Sequence, residues 1–361
     1  MKITAAVSRG AASGFAMEQV RLDDPRPDEI LVRLVAVGVC HTDLATKSLY
    51  PDGVPVVLGH EGAGIVESVG ADVSGVRAGD HVLLSFASCG VCPQCRADHR
   101  AYCERFQLLN SSGRRADGSA TISDDAGPIS GSFFGQSSFA THALATRDNV
   151  VVVDDDLDLT VAAPFGCGIQ TGAGAVINVL EPGTDSRVVV FGAGGVGMAA
   201  IMAAKALGVV TIVAVDLAES RRDIALSVGA THVIDGAADD VAAQILEATG
   251  GGATHAFDTT GVGAVINTAI RALAPLGTLV IVGLGAQLTI DPMALISGGK
   301  TIRGSIEGDA QPQDLIPQLV RWHAEGLLPI ERIVTPYPFA DIDRAVADAR
   351  SGVTIKPVLT F

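Results

Sequence analysis

Six residues, Gly192-Ala193-Gly194-Gly195-Val196-Gly197, follow the apolar run Val188-Val189-Val190-Phe191 and precede a stretch from Met198 to Leu207 at helical period. A glycine-rich turn in that setting constrains everything around it. The first glycine makes a tight turn, the second lets a pyrophosphate approach the backbone, and the third lets helix and strand pack closely. The helix start then offers free N–H groups and partial positive charge to an anion. Glycines at this spacing alone are a weak signal; the strand before and the helix after are the required context. Gly192, Gly194, Gly195, Val196 and Gly197 are therefore assigned to a bound dinucleotide.

The surrounding sequence repeats the theme. Thr211–Val215, Ala253–Asp258 and Thr278–Val282 read as buried strands with helices between them, which implies a parallel sheet wound on both faces, a Rossmann fold. Asp216 ends the second strand, 19 residues past Gly197. A carboxylate there accepts hydrogen bonds from the ribose hydroxyls and repels a 2′-phosphate, so NAD is expected over NADP. Arg221 and Arg222 stand nearby, either softening that preference or simply lining a solvated helix face.

Residues 1–168 read as mainly β, with strands at 30–37, 64–70 and 80–84. The stretch 110–132 is rich in Ser, Gly, Asp and Arg without period, and is expected as a long surface loop. The expected domains are 1–168 with 306–361, and 169–305 for the dinucleotide. At 361 residues and 48% hydrophobic content the chain can bury both cores. A net charge of −15 argues against nucleic acid or an anionic membrane as partner. No apolar run reaches the roughly 18 residues of a membrane span, and the first residues lack the pattern of a signal peptide. A cytoplasmic protein is expected.

Cys89, Cys92, Cys95 and Cys103 place four thiols in 15 residues. Zinc takes four ligands at tetrahedral corners, and a set this compact fills all of them, so a structural zinc is expected here. Cys40, His60 and Cys167 are dispersed, each at a glycine-flanked turn or strand end. Two thiolates and one imidazole would leave a fourth zinc position free, as in catalytic sites. Taken singly, Cys40 also reads as a buried apolar residue and His60 as a core histidine.

The neighbours of these residues carry a resemblance. Gly38-Val39-Cys40-His41-Thr42-Asp43, then Gly59-His60-Glu61 with Gly64, Gly70 and Val73, and Gly166-Cys167-Gly168 with Thr171-Gly172 are similar to the signatures of zinc-containing medium-chain alcohol dehydrogenases. The resemblance runs from residue 38 to the C-terminus. It implies a GroES-like catalytic domain carrying the structural zinc lobe, beside the Rossmann domain. It also implies zinc (two per subunit) and NAD as cofactors. Cys40, His60 and Cys167 match the catalytic ligands, and Glu61 matches a carboxylate that can approach the metal. Asp43 matches the acid that orients the ligand histidine, and Thr42 the hydroxyl that takes the alcohol proton; both also suit helix capping. Lys356 and His41 match positions at the pyrophosphate, Thr171 one packed on the nicotinamide, and Val282 and Leu284 line its side. In the family a basic residue at the Arg221 position accompanies NAD use. The pattern departs at Ala45, where many relatives carry the histidine that ends the proton relay. Water is the expected substitute, with His41 as the other route.

Phe133 and Phe134 align with residues that wall the alcohol pocket, while Phe86 suits the core as well as the pocket. The run Phe165–Ala175 looks most like the aryl-alcohol (benzyl alcohol) dehydrogenase branch. A primary aromatic or allylic alcohol, oxidised reversibly to the aldehyde, is the expected substrate. One alternative is a formaldehyde–thiol adduct, whose carboxylates would need Arg114 or Arg115. Another is a non-enzymatic nucleotide-binding member, a class that lacks the metal ligands. Ile302–Ile306 matches the family's edge strand that pairs across a two-fold axis, so a homodimer is expected, with a tetramer as the second choice.

Overall fold

Alternating apolar residues near the start of the chain become paired strands in the computed structural model, which describes residues 1–285 and 287–361. Strand β1 (Lys2–Ser8) turns back on β2 (Phe15–Leu22), burying Ile3, Ala5 and Val7. The ten-residue β3 (Glu29–Gly38) is the spine of a second sheet. Further strands are β4 (Val56–Val57), β5 (Gly62–Val69), β6 (His81–Leu84), β7 (Ile122–Asp124), β8 (Gly127–Ile129), β9 (His142–Thr146) and β10 (Val150–Val153). One sheet runs β4-β1-β2-β7-β8. The other runs β10-β6-β5-β3, continues into the C-terminal strands Lys356–Thr360 and Val334–Pro338, and carries β9 on β3.

The stretch 110–132 is not the long loop its composition implies. It completes the helix Phe106–Ser111 and then forms the β7–β8 hairpin, which extends the first sheet. Polar side chains hold it. Asp124 Oδ1 accepts from Ala126 N and Gly127 N at 2.8 and 3.0 Å, and buried Thr121 donates to Gly131 O at 2.6 Å. Arg115 Nε donates to Glu29 at 2.6 Å, while its Nη1 donates to Asp23 at 2.8 Å and Ala120 O at 2.6 Å. A search for apolar period misses a segment ordered by hydrogen bonds.

The parallel sheet comprises β11 (Arg187–Phe191), β12 (Thr211–Asp216), β13 (His232–Asp235), β14 (Ala253–Asp258), β15 (Leu273–Ile281) and β16 (Thr301–Gly304). Its order is β13-β12-β11-β14-β15-β16, with every pair parallel. This is the doubly wound dinucleotide-binding order. Val188, Val189, Val190, Ile212 and Val213 are fully buried, which is why these strands read as continuous apolar runs rather than alternating ones. Each large apolar side chain buried this way contributes about 1.5–3 kcal/mol.

Two compact units result: Met1–Gly168 with Gln311–Gln318 and Val334–Phe361, and Ile169–Ala310 with Leu319–Ile333. Among the described residues no single helix is long and apolar enough to cross a membrane.

Candidate metal centres and dinucleotide site

Cys40 leaves the end of β3 in extended conformation and caps the helix His41–Lys47. That helix turns Asp43 inward, fully buried. Asp43 Oδ2 accepts from Cys40 N at 2.9 Å, and Oδ1 accepts from Gly59 N at 3.0 Å and faces His60 Nδ1 at 2.8 Å. A carboxylate occupied by donors on both oxygens makes Nδ1 of His60 the protonated nitrogen and turns the Nε2 lone pair away. Nε2 is buried and has no hydrogen-bond partner among the described residues. The ligand atoms of Cys40, His60 and Cys167 all lie within 4.8 Å of one another. Two sulfurs and one imidazole nitrogen brought together in a buried site fit a zinc ion with one position to spare.

Electrostatics favours a cation at the same place. The Cys40 thiol is held well below its ordinary pKa, first by its hydrogen bond with Cys167, against burial, and then by His60. Burial pushes the His60 ring down, but Asp43 and Cys40 together hold it well above the usual range. A divalent cation on the sulfurs and Nε2 answers the same demand for positive charge and leaves Nδ1–H to Asp43.

Glu61 is fully buried and meets the Lys356 ammonium, with Oε1 at 2.6 Å and Oε2 at 2.5 Å. Oε1 also accepts from Gly168 N at 2.9 Å. Burial raises the Glu61 carboxyl to about 7, opposed by Lys356 and reinforced by Cys40. Lys356 is the residue expected at a pyrophosphate. Its ammonium is buried on Glu61, with Val39 O at 3.3 Å, because a buried carboxylate beside a thiolate requires a counter-charge.

Phe134 stacks on His60 at 4.5 Å between ring centroids, and Phe133 meets it edge-on at 5.3 Å. Phe86 is a core residue, 6.0 Å from half-buried Phe106, which in turn stands edge-on to Phe134 at 6.2 Å. Phe106 and Gln136 were not singled out from the sequence. Gln136 is buried and accepts from Gly62 N at 3.1 Å while donating to His60 O at 3.1 Å, pinning the backbone of His60. A phenylalanine three residues past Cys103 was a readable hint; nothing in the sequence marked Gln136. Thr42 is half-buried and His41 exposed at the helix start, with half-buried Ala45 on the next turn.

In the four-cysteine lobe all four sulfurs again lie within 4.8 Å of one another. Backbone N–H groups point at them: Cys89 N and Arg105 N at Cys103 Sγ (both 3.4 Å), Cys92 N at Cys89 Sγ (3.4 Å) and Cys95 N at Cys92 Sγ (3.5 Å). Such donors favour thiolates, and those of Cys95 and Glu104 lower the Cys92 thiol to about 6. Among the described residues no disulfide links any of the six cysteines.

In the second unit, Gly192 follows β11 at φ +88°, and the helix Gly195–Ala206 starts with Gly194 as its cap and no side chain on its first N–H groups. A Cβ on Gly197 would stand 1.9 Å from Gly192 O, whereas one on Gly194 would meet nothing within 4 Å. The turn is thus closed on the protein side and open where an anion would approach. Asp216 Oδ2 accepts from Ala193 N at 2.7 Å and Oδ1 from Ala218 N at 2.9 Å. Arg221 Nη1 lies 4.0 Å from Asp216, and Arg222 donates to Asp216 O and Leu217 O. Thr171 and Val282 are half-buried and Leu284 is exposed.

Of the two arginines weighed for a carboxylated substrate, Arg115 is already committed. It is buried and bidentate on Glu29, and half-buried Arg114 is its neighbour.

Residues 26–155 match the alcohol dehydrogenase GroES-like domain, and residues 195–325 match the zinc-binding dehydrogenase domain. Geraniol dehydrogenase of Castellaniella defragrans is 45% identical over 362 residues, covering 99% of this chain and 97% of that protein. The crystal structure of an alcohol dehydrogenase zinc-binding domain protein from Burkholderia ambifaria superposes with a TM-score of 0.97 at 49% identity, over 100% of this chain and 99% of that one. That of benzyl alcohol dehydrogenase from Acinetobacter calcoaceticus gives 0.95 at 42% identity, over the same shares. The chain belongs to the zinc-binding medium-chain alcohol dehydrogenase family.

Proposed function

We propose that the chain is an NAD-dependent dehydrogenase that interconverts primary aromatic or allylic alcohols with their aldehydes. The observation that carries this reading is the convergence of Cys40, His60 and Cys167 beneath the stacked Phe134 ring. Zinc, when bound, supplies Lewis acidity that lowers the pKa of an alcohol, and NAD accepts the hydride. Cys40, His60 and Cys167 would hold that zinc, and the four-cysteine lobe a second, structural one. Asp43 keeps His60 in the tautomer that offers Nε2. Thr42 receives the alcohol proton and passes it to water, since Ala45 carries no relay group. Glu61, held back by Lys356, is in reserve for ligand exchange. Gly192–Gly197 would cradle the pyrophosphate, with Arg221 beside Asp216 at the adenosine ribose, and Asp216 would discriminate against a 2′-phosphate. Thr171, Val282 and Leu284 would flank the nicotinamide.

Aromatic walls favour flat apolar substrates through burial and ring contacts. Relatives named for geraniol and for benzyl alcohol support the same class. Cysteines without disulfides suit a cytoplasmic enzyme. The largely exposed edge strand β16 suits pairing with a second copy in a homodimer.

An alcohol panel with NAD and NADP tests the reading. Benzyl alcohol, cinnamyl alcohol and geraniol should exceed ethanol in kcat/KM by about 10–100-fold, the worth of burying one ring or isoprenoid unit. NAD should be preferred. Equal values for benzyl alcohol and ethanol would refute the substrate class, and a preference for NADP would refute the role of Asp216.

A further inference from the structure

β14 lies between β11 and β15 in the parallel sheet, so the turn that leaves its carboxyl end borders the segments leaving both neighbours. Towards β11, Thr259 N donates to Phe191 O at 3.0 Å. The Thr259 hydroxyl stands 2.9 Å from Phe191 O and 3.1 Å from Gly192 O, which share its one hydrogen. Gly192 opens the glycine-rich turn. Towards β15, Val282 N and Gly283 N donate to Asp258 O at 3.0 and 3.3 Å. The backbones there are in contact: a Cβ on Gly283 would lie 2.1 Å from Gly261 N, and one on Gly285 1.8 Å from Gly261 O.

The shape of the turn is set from inside by one fully buried carboxylate. Asp258 Oδ1 accepts from the Thr260 hydroxyl at 2.7 Å and from Thr260 N at 3.3 Å; Oδ2 accepts from Gly261 N at 2.9 Å. Gly261 takes φ +64°, which turns its carbonyl towards Gly285. Burying a carboxylate is costly unless donors surround it, and here the donors belong to the turn itself. Burial accordingly raises the Asp258 pKa, with the same donors opposing it.

We propose that Asp258-Thr259-Thr260-Gly261 sets the spacing between the two halves of the dinucleotide site. Thr259 positions the turn that receives the pyrophosphate, and Asp258 positions residues 282–285 beside the nicotinamide. Both are positioning residues that act through backbone rather than by touching the cofactor. The inference rests on the NAD reading above and deepens it. A dinucleotide must engage both halves at once, and a displacement of about 1 Å between them is enough to be felt in the kinetics.

Titrating NAD and ADP-ribose against wild type, Asp258→Asn, Thr259→Val and Thr259→Ser separates the two arms. Whichever way its amide turns, asparagine sets an N–H donor against Thr260 N or Gly261 N and loosens that end of the turn. Asp258→Asn should weaken NAD about tenfold, raising KM for NAD with little loss of kcat, while ADP-ribose stays within about twofold. Thr259→Val should weaken NAD and ADP-ribose alike, and Thr259→Ser, which keeps the hydroxyl, should bind both as wild type does. Asp258→Asn weakening both ligands equally, or neither, would overturn the proposal. If that variant does not fold, Val and Ser at 259 decide: identical affinities in the two would overturn it. Wild-type protein that binds neither NAD nor ADP-ribose would overturn the cofactor reading and this inference with it, an outcome distinct from normal wild-type binding with insensitive variants.

Discussion

Asp43 serves three groups with two oxygens: the N–H of Cys40, the N–H of Gly59 and the Nδ1 of His60. It therefore orders Cys40 through its backbone and His60 through its side chain. Replacing it with asparagine puts an amide donor against one of those N–H groups and removes the negative charge that fixes the imidazole tautomer. Asp43→Asn should lower zinc affinity about 10–100-fold, read by competition with a chromogenic chelator. Unchanged affinity would show that His60 needs no orienting acid. The pairing of Asp43 with His60 was legible only through family resemblance, since 17 residues of separation carry no local signal. Lys356 shows the reverse case. Family resemblance suggested a pyrophosphate contact for it, but its pairing with the buried Glu61 carried no sequence signal, because burial is not readable from one sequence.

Elements held by period and glycine spacing were legible; those held by polar side chains were not. The Val188–Phe191 run, the glycines and the helix after them announced the β11 turn, because sterics leave few alternatives: a side chain at 197 would collide with Gly192 O. The β7–β8 hairpin gave no such notice. It depends on Arg115, whose guanidinium is almost wholly buried against an equally buried Glu29. Removing one partner from a buried pair strands the other charge. Arg115→Met should therefore cost about 3–5 kcal/mol in unfolding free energy, seen in urea or thermal melts, whereas Arg115→Met with Glu29→Leu should recover much of it. A single substitution that leaves the melting curve in place would show the pair to be dispensable to the fold.

Across the whole molecule, each compact unit is assembled from segments distant in the chain. Lys356–Thr360 returns to pair with β3, Val358 opposite Gly38, and so brings Lys356 to Glu61. The tail 306–361 was expected in one domain with residues 1–168, but no local pattern foretold this pairing, although the fold class itself followed from strands alternating with helices. The four-cysteine spacing was legible because its residues are neighbours in sequence, whereas Cys40, His60 and Cys167 needed the fold to meet. Their meeting is the point on which the functional reading turns. Metal content and benzyl alcohol turnover, measured side by side on wild type and Cys40→Ala, test it most directly. The wild type should carry two zinc ions per chain and be active. The variant should retain one zinc ion, bind NADH and melt cooperatively, yet oxidise no alcohol. A variant that keeps both ions, or that turns over benzyl alcohol at the wild-type rate, would contradict a metal centre built on Cys40, His60 and Cys167.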